Sequence, residues 1–277
     1  ESVTFNPMFD HLWDYAALTH GRDALEKKYH FSLETNVRGG WSGGFAVYLE
    51  SFGYDPSIFP NVFVQRVRGA VTDTVPFNGA VRLYNHDWVA SLNTPQWSMF
   101  SFNATAIVGP DDNFEEWATS NIWYVSLGAL VRPSDKLRIT PTLLYQSFDH
   151  PSSGTVYRSD HIIRVKTEYQ LTRAIFLRLV GEYSGQERAL LVDYSRTGGV
   201  LLYYDPATGT YSPSTPFRHK TFRTDWLFSY QPSPGTVFFA GYGNSSAPAS
   251  FRLDQLTETR YRTADAFFVK FSYLFRM

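Results

Sequence analysis

Cysteine is absent from this 277-residue chain, which removes disulfides, zinc–thiolate sites and a cysteine nucleophile from consideration. No apolar run reaches the roughly 18 residues that a membrane-spanning helix requires. Charge is also scarce: Asp, Glu, Lys and Arg supply 18% of the residues, and their signs nearly cancel to a net charge of -1. A chain of that balance carries no electrostatic footprint for nucleic acid. The basic stretch and apolar run of a secretory leader are missing after Glu1, which reads as a processed protein or part of a longer one.

What the chain has in excess is aromatic surface, with 23 Phe, 18 Tyr and 7 Trp making up 17% of the residues. Its mean hydropathy is nevertheless slightly negative. The two observations agree if every second residue faces lipid and the others face a polar interior, because such a wall averages like a soluble protein. From Lys28 onward, alternating segments are separated in turn by very short turns and by long polar loops. This pattern predicts an all-β fold, a transmembrane antiparallel up-and-down barrel over residues 1–277, with short turns toward the periplasm and long loops outside. About eleven strands are legible, and an even count of about twelve is completed either by Met8 to Leu18 or by strands upstream of Glu1.

The clearest hairpin runs from His161 to Ser184. Ile163, Val165, Thr167, Tyr169 and Leu171 share one face, and Arg164, Lys166, Glu168 and Gln170 share the other. A turn at Thr172-Arg173-Ala174 sets Glu168 opposite Arg178 and Arg164 opposite Glu182, two pairs of opposite charge. In the preceding hairpin a turn at Pro133-Ser134-Asp135 sets Trp123 opposite Tyr145, an aromatic pair suited to a membrane interface. Pro141 lacks an amide hydrogen and predicts a bulge or a break in pairing. Further hairpins turn at Gly39 to Gly44, at Thr94-Pro95-Gln96 and at Pro232 to Gly235. The long connections are Tyr54 to His86, Gly109 to Thr119, His150 to Asp160, Glu187 to Pro216 and Asn244 to Thr263. Within them, Val62 to Val75 reads as a small hairpin, Thr19 to Lys28 as containing a helical turn, and 187–216 as an extracellular hairpin loop.

The final segment places Phe267, Val269, Phe271, Tyr273, Phe275 and Met277 on one face against Lys270, Ser272 and Arg276. A terminal aromatic strand of this kind, here with Phe271, Tyr273, Phe275 and Met277, resembles the signal read by the outer-membrane barrel insertion machinery, although the usual last Phe is Met277. The stretches Phe222 to Gly243 and Asp265 to Met277, and more loosely Trp13 to Tyr54, resemble a poorly characterised bacterial family. Its members join a family-nine-type carbohydrate-binding module to a C-terminal barrel of unknown function. The resemblance implies a carbohydrate-associated barrel in the outer membrane of a Gram-negative cell and brings no catalytic residues with it. The chain departs from the family pattern in lacking the carbohydrate-binding module.

Chemistry-bearing motifs are few. The seven histidines show no His-x-x-x-His spacing, and isolated ones such as His30 and His219 read as polar strand residues rather than ligands, so no metal, cofactor or catalytic set is expected. Asp111-Asp112-Asn113 with Glu115-Glu116 reads as a solvated acidic loop lacking the glycine and spacing of a calcium loop. Tyr194, Tyr203, Tyr204 and Tyr211 lie around an Asp205 to Gly209 turn, where they either meet a glycan or partner protein or stiffen the hairpin. The predicted lumen carries a mixed network of Arg164, Lys166, Glu168, Arg178, Glu182 and Lys270, with Arg38, Glu50, Arg138, Arg223 and Asp225 on the same face.

The expectation is a non-enzymatic, porin-like outer-membrane protein in contact with lipid and lipopolysaccharide. It acts as a channel or as an anchor presenting loops to glycans or a partner protein. A barrel-wall hydrolase and a soluble lectin-like sandwich are the competing readings.

Overall fold

Alternation of apolar and polar residues forces strands, and the short turns between them force antiparallel neighbours. The computed structural model describes residues 1–69, 71–248 and 260–274. The chain runs through β1 (Ser2–Leu12), a short helix α1 (Tyr15–Thr19), β2 (Glu26–Val37), β3 (Trp41–Gly53), β4 (Val62–Arg68), β5 (Val71–Pro76), β6 (Arg82–Asn93) and β7 (Phe100–Asn113). It continues through β8 (Ala118–Ser134), β9 (Leu137–Asp149), β10 (Val156–Gln170), β11 (Ile175–Arg188), β12 (Leu201–Asp205), β13 (Thr210–Pro213), β14 (Phe217–Ser233), β15 (Thr236–Pro248) and β16 (Arg260–Tyr273).

Twelve of these strands form one antiparallel up-and-down sheet in the order β1-β2-β3-β6-β7-β8-β9-β10-β11-β14-β15-β16. β1 and β16 are its two edges, and β13-β12-β4-β5 form a separate four-stranded sheet. The fold is therefore the all-β up-and-down architecture that the alternation predicts. No helix among the described residues is long and apolar enough to cross a membrane.

The predicted register of the His161 to Ser184 hairpin holds, with Arg164 opposite Glu182 and Glu168 opposite Arg178. Elsewhere the structure corrects the expectation. The first strand begins at Ser2 and ends at Leu12 rather than spanning Met8 to Leu18, and the helical turn falls at Tyr15–Thr19, ahead of the expected stretch. Trp123 faces Ser147, and Tyr145 faces Val125. The cause is the turn: β8 does not stop at Pro133 but passes an irregularity between Val131 and Ser134, and the chain reverses at Asp135 and Lys136. The break in pairing expected at Pro141 occurs on one side only: toward β8 the ladder skips Thr140 and Pro141 and resumes at Ile139 in the same register, whereas toward β10 Pro141 is matched to Val165 without a shift.

Gly109 to Thr119 is not a long loop, because β7 and β8 extend until only a tight turn at 114–117 separates them. Gly109-Pro110 interrupts the apolar alternation and hides that extension. The glycine is needed there, since a Cβ on it would lie 2.4 Å from the carbonyl oxygen of His86. Phe275 and Met277 lie outside the described residues, as does much of the Asn244 to Thr263 connection.

One face of the large sheet is apolar and uncovered. Phe45, Trp88, Trp123, Ile163, Val165 and Trp226 point there and remain 40 to 55% exposed. No second sheet lies against them, so the stacked arrangement of a sandwich is not formed among the described residues. The buried apolar cluster sits instead at the long-loop end. Val64, Phe77, Leu83, Trp117, Tyr157, Leu191 and Leu201 pack together there, joining the small sheet to the ends of β6, β8 and β10. Trp117 anchors it: its backbone takes a left-handed φ of 48°, and its indole Nε1 donates to Ala80 O at 2.7 Å. Gly79 makes room for that ring, since a Cβ there would come within 2.4 Å of Trp117 Cδ1.

Candidate functional site

The polar face of the sheet is built by the residues that alternate with the apolar belt. On β10 these are Arg164, Lys166 and Glu168, and on β11 Arg178 and Glu182. Along the strand-to-strand rows each of these carboxylates lies between two guanidinium-bearing partners. Arg138 and Arg178 flank Glu168, and Arg164 and Arg223 flank Glu182. The ion-pair geometry is looser than the register. Arg164 Nε stands 4.0 Å from Glu182 Oε2, and Glu168 takes its close contact from Lys166 on its own strand at 3.2 Å rather than from Arg178. Arg178 Nε and Arg132 Nε are buried without a hydrogen-bond partner. Lys270 lies beside Phe239 across the β15–β16 ladder, away from the β10–β11 pairs.

Two hollows open on this face. One of about 590 Å³ at the short-turn end is lined by Arg132, Lys136, Arg138, Asp135 and Glu168 among others. The second, of about 260 Å³, is lined by Arg164, Lys166, Arg178 and Asp225. A third hollow, of about 290 Å³, is lined mostly by apolar-belt residues of β10, β11, β14 and β15, such as Tyr169, Leu177, Trp226 and Phe228.

Acidic residues gather elsewhere, on β3, β6 and β7. Asn85 Nδ2 donates to Asp112 Oδ2 at 2.9 Å, to Asp111 Oδ1 at 3.3 Å and to Glu50 Oε2 at 3.4 Å. Glu50 is also within 2.6 Å of His30 Nε2, so this histidine is paired on a strand face as its isolated position suggests. Asp87 is buried beside this group, and its Oδ1 has no hydrogen-bond partner. Among the described residues no group of three or more His, Asp or Glu side chains has the geometry to hold a metal ion.

The acidic loop expected to be solvated is in fact largely interior: Asp112, Asn113 and Glu116 are all buried. Glu116 acts as a clasp. Its Oε2 accepts from Asn113 Nδ2 at 2.8 Å and lies 2.6 Å from His150 Nε2, while its Oε1 accepts from Val192 N at 2.8 Å. The His150 ring is stacked 4.0 Å from that of Tyr194 and 5.3 Å from that of Tyr157. The clasp thus fixes three connections to one another.

The four loop tyrosines separate into different settings. Tyr194 stacks on His150, and Tyr204 packs on Phe63 and Tyr211. Tyr203 and Tyr211 keep 42% and 46% of their surface exposed on the β12–β13 hairpin. The period of two on β6 would have been enough to place Leu83, Asn85 and Asp87 on one inner face. Their meeting with Asp111 and Asp112 depends on the Gly109-Pro110 irregularity, which alternation does not encode.

No family profile matches the chain, and no curated protein matches it. Among solved structures, a NanC porin in a rhombohedral crystal form is similar at 8% identity, with 99% of each chain covered and a TM-score of 0.31.

Proposed function

We propose that this chain is an integral outer-membrane β-barrel of a Gram-negative bacterium whose polar face encloses a channel for small solutes. One observation supports this above all: a twelve-stranded sheet leaves its aromatic face bare while charged side chains crowd the opposite face. In water a bare face of that extent invites aggregation, whereas acyl chains cover it at no cost to hydrogen bonding, provided the sheet closes on itself. Closure of β1 on β16 completes the wall with an even strand count, as bacterial barrels have. The short turns then face the periplasm, and the small sheet stands outside the membrane among the long loops.

Lipid and lipopolysaccharide are the partners of the outer face, and the insertion machinery is the partner of the last strand. The exposed Tyr203 and Tyr211 offer a surface for glycan stacking, in keeping with the carbohydrate-associated family that the sequence resembles. The test is purification in detergent followed by planar-bilayer recording. Migration that changes on boiling, together with stepwise conductance, is the expected result. A barrel that inserts without conducting contradicts the channel and favours an anchor, and a chain that purifies as a monomer without detergent contradicts the membrane assignment.

A further inference from the structure

The charges of the polar face are not mixed evenly around the sheet. Arg132, Arg138, Arg164, Lys166 and Arg178 line β8 to β11, with Arg223 and Lys270 beyond them on β14 and β16. Their counter-charges, Asp135, Glu168, Glu182 and Asp225, are fewer. The row arrangement explains why the excess persists: Arg138–Glu168–Arg178 and Arg164–Glu182–Arg223 each place one carboxylate between two cations in register, so each row is net positive. Among the described residues the one close contact between these charges is Lys166 on Glu168 at 3.2 Å, and Arg164 stands off Glu182 at 4.0 Å. The unpartnered Nε of Arg178 is a donor left over by this arrangement.

A group of acidic residues, Glu50, Asp87, Asp111 and Asp112, belongs to β3, β6 and β7, where Asn85 donates to Glu50, Asp111 and Asp112. In the strand order these strands are separated from β10 and β11 by β8 and β9. Toward the acidic residues, the inner face of β8 carries the uncharged Tyr124, Ser126 and Gly128, with Arg132 at its short-turn end. The near-zero net charge of the sequence thus conceals a clustering of cations on one sector of the sheet.

We propose that the β8–β11 wall is an oxyanion pathway, making the channel anion-selective, with Arg164, Lys166 and Arg178 as the residues that hand the solute along. This rests on the channel reading above. Guanidinium forks match the planar geometry of carboxylate and phosphate, and both hollows on this wall are large enough for a small organic or inorganic oxyanion. A wall potential of about one kT enriches anions roughly threefold along it, and more where low-dielectric walls focus the field.

The test is the reversal potential of single channels under a KCl gradient at low ionic strength, where screening is weakest. The expected wild-type preference is for chloride over potassium, and in the Arg164→Gln, Lys166→Gln, Arg178→Gln triple variant the preference falls about threefold or reverses. Citrate or inorganic phosphate should reduce the chloride current in the wild type and less so in the variant, and the stronger blocker identifies the solute as carboxylate or phosphate. Lys166→Gln alone serves if the triple variant loses heat-modifiable migration, and its preference should shift in the same direction. Conductance with potassium preference, an unshifted reversal potential in the variants, or block by neither anion overturns this inference while leaving the channel intact. Absence of any conductance overturns both.

Discussion

Glu116 illustrates what a single residue type conceals. As one of five polar or acidic positions in a short stretch it reads as solvated, because ionised carboxylates seldom give up water. Its burial is made tolerable by partners 34 and 76 positions along the chain, His150 and Val192, which no local pattern announces. Removing the carboxylate by Glu116→Ala strands the His150 ring nitrogen, the Asn113 amide and the Val192 N–H in a dry setting. A loss of about 3 kcal/mol in local stability is expected from breaking a buried charged arrangement. Hydrogen–deuterium exchange should show faster exchange at Val192 and across the 189–216 connection, with exchange in β10 and β11 unchanged. Glu116→Gln keeps one acceptor and should fall between the two. Protection equal to wild type in the alanine variant would mean that the clasp holds nothing.

At the scale of elements, alternation reveals strands and faces, while turns decide registers. The His161 to Ser184 hairpin was legible because opposite charges confirmed one index sum, and both predicted partners are realised. The Trp123 hairpin carried no such cross-check, so placing the turn at Pro133 rather than at Asp135-Lys136 moved every partner by two positions. The small sheet was half legible. Its two hairpins are local, but the pairing of β12 with β4 joins connections far apart in sequence.

The β12–β13 hairpin also carries a test of its own. Asp205 Oδ1 accepts from Ala207 N at 2.8 Å and Oδ2 from Thr208 Oγ1 at 2.9 Å, and these bonds hold its carboxyl below the usual carboxylate range. A group with a depressed folded pKa contributes stability above its unfolded pKa and loses it as pH falls through the lower folded value. Protection of the Ala207 amide, corrected for intrinsic exchange, should therefore be constant near neutrality and decline below about pH 4. In Asp205→Ala it should be low at every pH. An acid-insensitive amide in the wild type would remove the carboxylate from this account.

For the whole molecule, the distribution of burial is more telling than its amount. The apolar cluster serves the long-loop end, and the belt along the strands is left without protein to cover it. Composition made this legible in outline, since many aromatics with few charges and no long apolar run leave few other architectures. The segregation of charge was hidden, because a net charge of -1 says nothing of where each sign lies around a closed wall.

Stability of such a molecule resides largely in its solvent, so the most direct measurement asks what wets each side of one strand. The chain has no native cysteine to interfere, so spin labels can be placed singly along β10 in bilayer-reconstituted protein. Labels at positions 163, 165 and 169 should collide with dissolved oxygen, and those at 164, 166 and 168 with a water-soluble nickel chelate, in strict alternation. Nickel access on both sides, or no access to either reagent at 163, 165 and 169, would contradict a lipid-covered belt around a water-filled interior.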